Sequence, residues 1–283
     1  MNILSIQSSV AYGHVGNSAA VFPLQRMGFE VWPVNTVHFS NHTGYGQWRG
    51  SVLAAEDIAD IIRGIEDRGV LPDCDAVLSG YMGDASLGEV VVGAAGRVKE
   101  LNPKAVYCCD PVMGDAGRGF FVRPGIPRFI KEVAVPAADV ITPNQFELEF
   151  LTGMEVRDLD GALVAADEAR RLGPETVLTT SLRRRDAAAD TIEMLAVSGE
   201  GAWLIQTPML VLEVNGAGDA TAALFLAHLL RGAVLAEALS MTAEAVYSVL
   251  EETRRTGSRE MRLVAAQESI GEPPHRFEAR QIL

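Results

Sequence analysis

Residues 211–225 read VLEVNGAGDATAALF: an extended apolar tetrad, a glycine turn and an alanine-rich run, with Asp219 at the junction. The spacing predicts a strand, then a helix that starts on NGAGD. A helix start leaves backbone N–H groups unpaired at the positive end of its dipole, so the junction suits an anion. Gly216 and Gly218 would let a ligand come close to that backbone. Asp219 has two readings here, a helix cap or a carboxylate that faces the ligand.

Outward from this junction, apolar runs alternate with amphipathic stretches. NILSIQS, EVWPVNTVHF, DAVLSG, AVYCCD, DVITP and ETVLTT each have a helical pattern nearby, the grammar of βαβ units. The fold class expected is α/β with a mainly parallel sheet. Strands that finish in Ser79, Gly80, Asp110, Thr142, Thr180 and Ser181 would line the crevice at the carboxyl edge of such a sheet. TIEMLAVSGEGAWLIQT reads as an antiparallel hairpin at the sheet edge. In the second helix Ile58, Ile61, Ile62 and Ile65 form one expected buried stripe, leaving Asp57, Asp60 and Arg63 to solvent. Past the glycine turn, Ala220, Ala223, Leu224 and Ala227 fall on one helix face. RRRDAAAD, residues 183–190, reads as a solvated loop, or as a basic loop near the crevice that could meet phosphate. Neither linker nor repeat interrupts the chain, which is taken as a single domain over residues 1–283.

Composition narrows the functional classes. The chain has 283 residues, 48% of them hydrophobic, enough for a packed core. A net charge of −13 opposes nonspecific nucleic-acid binding, and an anionic ligand would need local positive charge. No run of eighteen apolar residues is present, and MNILSIQSS enters a strand pattern without a basic leader, so no membrane partner is expected and the protein is read as cytoplasmic. Three cysteines, two of them adjacent, have neither disulfide nor zinc spacing and are read as buried thiols.

The Walker pattern is absent, and GHVGN does not satisfy GxGxxG. The remaining chemistry lies in NGAGDA, in acids at strand ends and in VHFSNHTGYGQW, residues 37–48. Asp110 and Asp115 stand in CCDPVMGD, while Asn144 and Glu147 share one side of a first helical turn. Two readings fit the latter pair: oxygen ligands for Mg2+ beside a nucleotide, or a capping box with Asn144 as N-cap. The 37–48 segment has the aromatic and hydroxyl content of a lid, and His42 within it is read as structural.

These residues together resemble a known family. IQSSVAYGHVGNSAAVFPLQRMGFEVWPVNTVHFSNHTGYGQWRG is similar to the N-terminus of pyridoxal kinases of the ribokinase-like superfamily, and LSGYMGD, YCCDPVMGD, ITPNQFELEFLTG and NGAGDA continue the likeness. The resemblance implies a three-layer αβα sandwich with a short lid, which phosphorylates the 5′-hydroxymethyl group of pyridoxal, and of related B6 vitamers, with MgATP. It implies Asp219 as catalytic base and Gly216, Ala217 and Gly218 as an anion hole. Ser8, Val15, Phe39, Thr43, Gly44 and Tyr81 would meet pyridoxal. Asp110, Thr142, Asn144, Glu147, Thr180, Ser181 and Thr207, Pro208, Met209 and Leu210 would meet ATP, with Asp115 and Glu147 holding the metal. Where many bacterial relatives carry a lysine, this chain has Thr180 and Ser181. A homodimer is implied too, and a monovalent-ion requirement is left open. The rivals are a hydroxymethylpyrimidine kinase of the same superfamily, against which FSNHTGY counts, a catalytically idle B6-binding protein, and, weakest, a dehydrogenase.

Overall fold

The strands of the computed structural model, which describes residues 1–283, follow the apolar runs. They are β1 (Asn2–Tyr12), β2 (Glu30–Asn41), β3 (Gly50–Val52), β4 (Cys74–Ser79), β5 (Val106–Cys109), β6 (Gly114–Asp115), β7 (Gly119–Phe120), β8 (Val140–Ile141), β9 (Thr176–Leu182), β10 (Thr191–Ser198), β11 (Gly201–Pro208) and β12 (Arg280–Gln281). The helices are α1 (Asn17–Arg26), α2 (Ala55–Glu66), α3 (Ser86–Leu101), α4 (Ile126–Phe129), α5 (Val135–Ala137), α6 (Gln145–Thr152), α7 (Leu159–Arg171), α8 (Ala217–Leu230), α9 (Leu235–Thr256) and α10 (Gln267–Gly271).

Ten strands form one sheet in the order β12-β11-β10-β9-β8-β5-β4-β1-β2-β3, and β6 pairs with β7 in a separate hairpin. The pairings from β2 through β1, β4, β5 and β8 to β9 are all parallel. Both faces of these strands are covered, so apolar side chains point both ways. Leu4, Ile6, Val77 and Tyr107 enter one core with α2, α3, α6 and α7, while Ile3, Ala76, Leu78 and Cys108 enter the other with α1, α8 and α9. The result is three layers, α on β on α. The chain leaves β1 toward β2 and returns on the other side to β4, which makes the carboxyl ends of β1 and β4 a topological switch point.

The hairpin β10–β11 is antiparallel as read, but β12 covers its outer strand, so it is not the edge itself. At the opposite edge VHFSNHTGYGQW runs from the end of β2 through a single turn at Thr43–Tyr45 toward β3. The three thiols are free and buried, and burial pushes Cys109 up to about 12. No helix is long and apolar enough to cross a membrane.

Four further expectations need correction. VLEV is not a strand: residues 209–214 are irregular, because Val211 stands in solvent while Leu212 and Val214 turn toward a recess. Ile61 is 45% exposed, so the stripe on α2 narrows to Ile58 and Ile62. Helix α8 has no single apolar face; Ala220 to His228 are all buried, since α1 and α9 pack against it from two sides. The 183–190 loop is not wholly solvated. Arg184, its side chain 5% exposed, pairs with the 2% exposed Glu193 through Nε at 2.6 Å. Without Glu193 the buried Arg184 would keep only the half-exposed Asp186, at 2.6 Å from its Nη1, so most of its compensation is lost. Glu193→Ala is therefore expected to lower unfolding free energy by about 3 kcal/mol, read as a drop in the denaturant midpoint.

Candidate active site

A cavity of about 300 Å3 opens at the carboxyl ends of the parallel strands. It is bounded by Ser8 of β1, by Tyr81 beyond β4, by Asp110 beyond β5, by Thr142 beyond β8 and by Thr180 and Ser181 of β9. Val15, Phe39, Thr43, Asp115, Asn144, Glu147 and the 216–219 turn complete it. A second recess of about 830 Å3 shares Asp115, Asn144, Thr180, Ser181, Ala217 and Gly218 with the first and extends to Thr207–Leu210. The structure thus brings every sequence-predicted site residue to these two recesses except Gly44. That residue packs instead between His42 and Asn215, where an added Cβ would lie 2.9 Å from His42 Nδ1 and 2.8 Å from Asn215 Nδ2.

The 216–219 turn is built by backbone constraint. Gly216 has φ +88°, and a Cβ there would run into the carbonyl of His14, so only glycine fits twice over. Helix α8 begins at the next residue, and the amides of Gly216, Ala217 and Gly218 make no protein hydrogen bond. A Cβ on Gly218 would meet no protein atom within 4 Å, because the cavity lies there. Asp219 does not cap: the helix has no side-chain cap. Desolvation in the recess pushes its carboxyl up to about 6, although the amides of Gly16 and Asp219 itself pull it down. The helix start alone predicts a fully favoured anion; in the folded protein desolvation outweighs it.

For Asn144 and Glu147 the capping box is present in full. Asn144 Oδ1 accepts from the Glu147 amide at 3.0 Å, and Glu147 Oε2 accepts from the Asn144 amide at 2.9 Å. Glu147 Oε1 also accepts from the Met113 amide at 2.9 Å, tying α6 to the loop that carries Asp115. Glu147 nevertheless lines the cavity and is 3% exposed, and burial raises its pKa. The Asp110 carboxylate has one hydrogen bond, from Thr142 Oγ1 at 3.0 Å, and is pushed well above the carboxylate range by desolvation, then by the charges of Glu147 and Asp219. Asp115 pairs with Arg118 Nε at 2.8 Å.

A recess in which four carboxyl groups face a single arginine, Arg118, is short of positive charge, and that fits a divalent cation brought in with a polyphosphate. No three His, Cys, Asp or Glu side chains converge as a cage. Mg2+ does not need one, since it keeps waters and takes oxygens from one or two carboxylates and the phosphates.

Three further features were not read from the sequence. Ser181 is the one non-glycine residue at positive φ, +52°, and it stands on the cavity wall, where stored backbone strain is typical of a working site. Arg118 lines both recesses. Glu260, 8% exposed and remote in sequence, accepts from the Tyr45 hydroxyl at 2.7 Å and the His14 amide at 3.1 Å, and its Oε1 lies 3.0 Å from His42 Nε2. Arg259 lies over the Tyr45 ring. Glu260 thus joins the lid segment to the turn beside Ser8. His42 is structural through Nε2, while its buried Nδ1 has no partner and the ring borders the cavity. Only Arg118 left a local signal, a cation between the glycines of GRG beside the GD pair.

Comparison with known proteins places this geometry. A pyridoxal kinase PdxY from Rubrobacter xylanophilus is 72% identical over 283 residues, covering 100% of this chain and 98% of the relative. The chain belongs to the pyridoxal kinase family. A pyridoxal kinase PdxY from Corynebacterium diphtheriae is 53% identical, with both chains covered in full. The Leishmania donovani pyridoxal kinase in complex with ADP and pyridoxamine superposes with a TM-score of 0.92 at 29% identity, covering 100% of this chain and 99% of that one. The family model described as phosphomethylpyrimidine kinase matches residues 61–263. That match leaves out the 37–48 segment on which the pyridoxal kinase likeness is narrowest.

Breaking the Glu260 junction should loosen the lid segment. A hydrogen bond to a charged group is worth about 1.5–3 kcal/mol, so Glu260→Gln should speed hydrogen exchange of amides 42–46 by about tenfold or more. Unchanged exchange would mean that the segment is held elsewhere.

Proposed function

We propose that this protein transfers the γ-phosphoryl group of ATP to the 5′-hydroxymethyl oxygen of pyridoxal, and of related B6 vitamers, as a B6 salvage kinase. The observation that carries the reading is Asp219 on the wall of the smaller recess beside three unpaired amides, two of which, those of Ala217 and Gly218, belong to residues that line both recesses. The smaller recess, with Ser8, Thr43, Tyr81 and Phe39, suits a small hydroxylated ring. The larger one, with Thr207–Leu210, Val246, Tyr247 and Leu250, suits a nucleotide base and ribose.

In phosphoryl transfer the chemistry belongs to the phosphate, and the protein supplies position and charge stabilisation. The Gly216–Gly218 amides would receive negative charge on the equatorial oxygens. Asp219 accepts a hydrogen bond from the attacking alcohol, aims its lone pair at phosphorus and takes the proton late, as the new P–O bond makes that alcohol acidic. With its carboxyl at about 6 it is mostly ionised at neutral pH and still a better base than an ordinary aspartate. Mg2+, when bound, supplies positive charge to the phosphate oxygens, and Asp110, Asp115 and Glu147 are the side chains that would hold it, Glu147 in part through water because its oxygens already serve three amides. Glu260, Tyr45 and His42 keep the lid beside the alcohol and limit water entry. The short lid and the family likeness also support a homodimer.

Asp219→Asn should lower turnover by about 10²-fold or more while the fold is retained, the scale of a positioned base. Near-native turnover would remove Asp219 from this role. Because the base must be ionised, kcat/KM should fall about tenfold per pH unit below about 6 and level off above it, followed by ADP release across pH 5 to 8. A flat profile below that value would contradict the base assignment.

A further inference from the structure

Four carboxylates border the first cavity, yet Arg118 is the only lysine or arginine among its lining residues. It also lines the second recess, so its side chain stands on the shared wall that a polyphosphate must cross. The strand-end positions there, Thr180 and Ser181, supply hydroxyls and no charge, and the other arginine of the second recess, Arg183, does not line the first. An incoming ATP would add further negative charge to a protein already at −13.

We propose that Arg118 is the phosphate-side cation of this site: on nucleotide binding its guanidinium leaves Asp115 for the β- and γ-phosphate oxygens, and Asp115 becomes free to face the metal. The proposal rests on the kinase reading above. Three observations favour the exchange. The Arg118 side chain is 59% exposed and its pair with Asp115 is an i,i+3 surface contact, of the kind that contributes little stability. Gly117 and Gly119 flank it at φ +98° and +70°, with no protein atom within 4 Å of either Cβ position, so the hairpin tip is free to turn. Phe121 lies 5.6 Å from the guanidinium carbon and borders the cavity on the same side, giving the moved side chain a surface to rest on. A planar guanidinium can take two phosphate oxygens at once, an interaction stronger than its exposed pair with Asp115.

The test is calorimetric binding of AMP-PNP and of AMP to the wild type, Arg118→Gln and Arg118→Lys, each with EDTA and with Mg2+, beside ADP release with pyridoxal and MgATP. Expected is an AMP-PNP affinity about tenfold weaker in Arg118→Gln with or without metal, AMP affinity within twofold of wild type, partial recovery in Arg118→Lys, and an unchanged pyridoxal KM. Equal AMP-PNP affinity in Arg118→Gln and wild type would overturn the proposal. So would equal losses for AMP and AMP-PNP, which would mark the hairpin as a structural support. If the wild type releases no ADP with pyridoxal, the kinase reading fails and this assignment with it; wild-type turnover with AMP-PNP binding indifferent to Arg118 sinks the assignment alone.

Discussion

An acidic recess that must receive a polyanion is the constraint around which this structure is arranged. Asp110, Asp115, Glu147 and Asp219 border one cavity; desolvation holds three of them, Asp110, Glu147 and Asp219, above ordinary carboxylate behaviour, and the charge of neighbouring carboxylates adds to it at Asp110 and Glu147. Nothing in a net charge of −13 offsets them from a distance. In the proposed reaction the compensating charge has to be local: helix-start amides at Gly216–Gly218, the guanidinium of Arg118 on the wall shared by the two recesses, and a metal ion arriving with the phosphates. In that reading each would act on a different part of the ligand, so that a carboxylate base could stand beside a phosphoryl group without repelling it from the site.

The fold supplies the geometry for that balance. Parallel strands covered on both faces carry their polar ends to one edge, and the switch between β1 and β4 opens the crevice there. Glu147 then serves two ends at once. It closes the cap of α6 and holds the amides of Met113 and Gly114, so the loop with Asp115 is fixed relative to the helix. Capping and function are not rivals at this residue. The same hydrogen bonds that satisfy the helix start position a carboxyl group on the cavity wall.

Much of this was legible in residues alone. Alternating apolar runs predicted the sheet, and polar strand ends marked its working edge, because both follow from backbone periodicity. NGAGDA was readable because a glycine at Gly216 answers a steric demand and leaves amides free. What stayed hidden depends on contacts between remote segments. Glu260 meets His42 and Tyr45 more than two hundred residues away, and no local pattern announces it. VLEV carries a strand's composition but lies over a recess instead of beside another strand, so it has no ladder to join. Arg184 reads as a loop cation, and only the pairing of β9 with β10 brings Glu193 beneath it. Asp219 shows both sides: its position was evident, whereas its raised pKa comes from walls the sequence does not order in space.

The measurement that bears most directly on the central claim is a comparison of kcat/KM for pyridoxal and for hydroxymethylpyrimidine, each with MgATP, followed by ADP release and by phosphorus NMR of the product. The account predicts stoichiometric formation of the 5′-phosphate and a preference for pyridoxal of at least about tenfold, since one well-fitted polar contact in a pocket is worth that much. Equal or better turnover of hydroxymethylpyrimidine, or no phosphoryl transfer to either alcohol, would contradict it.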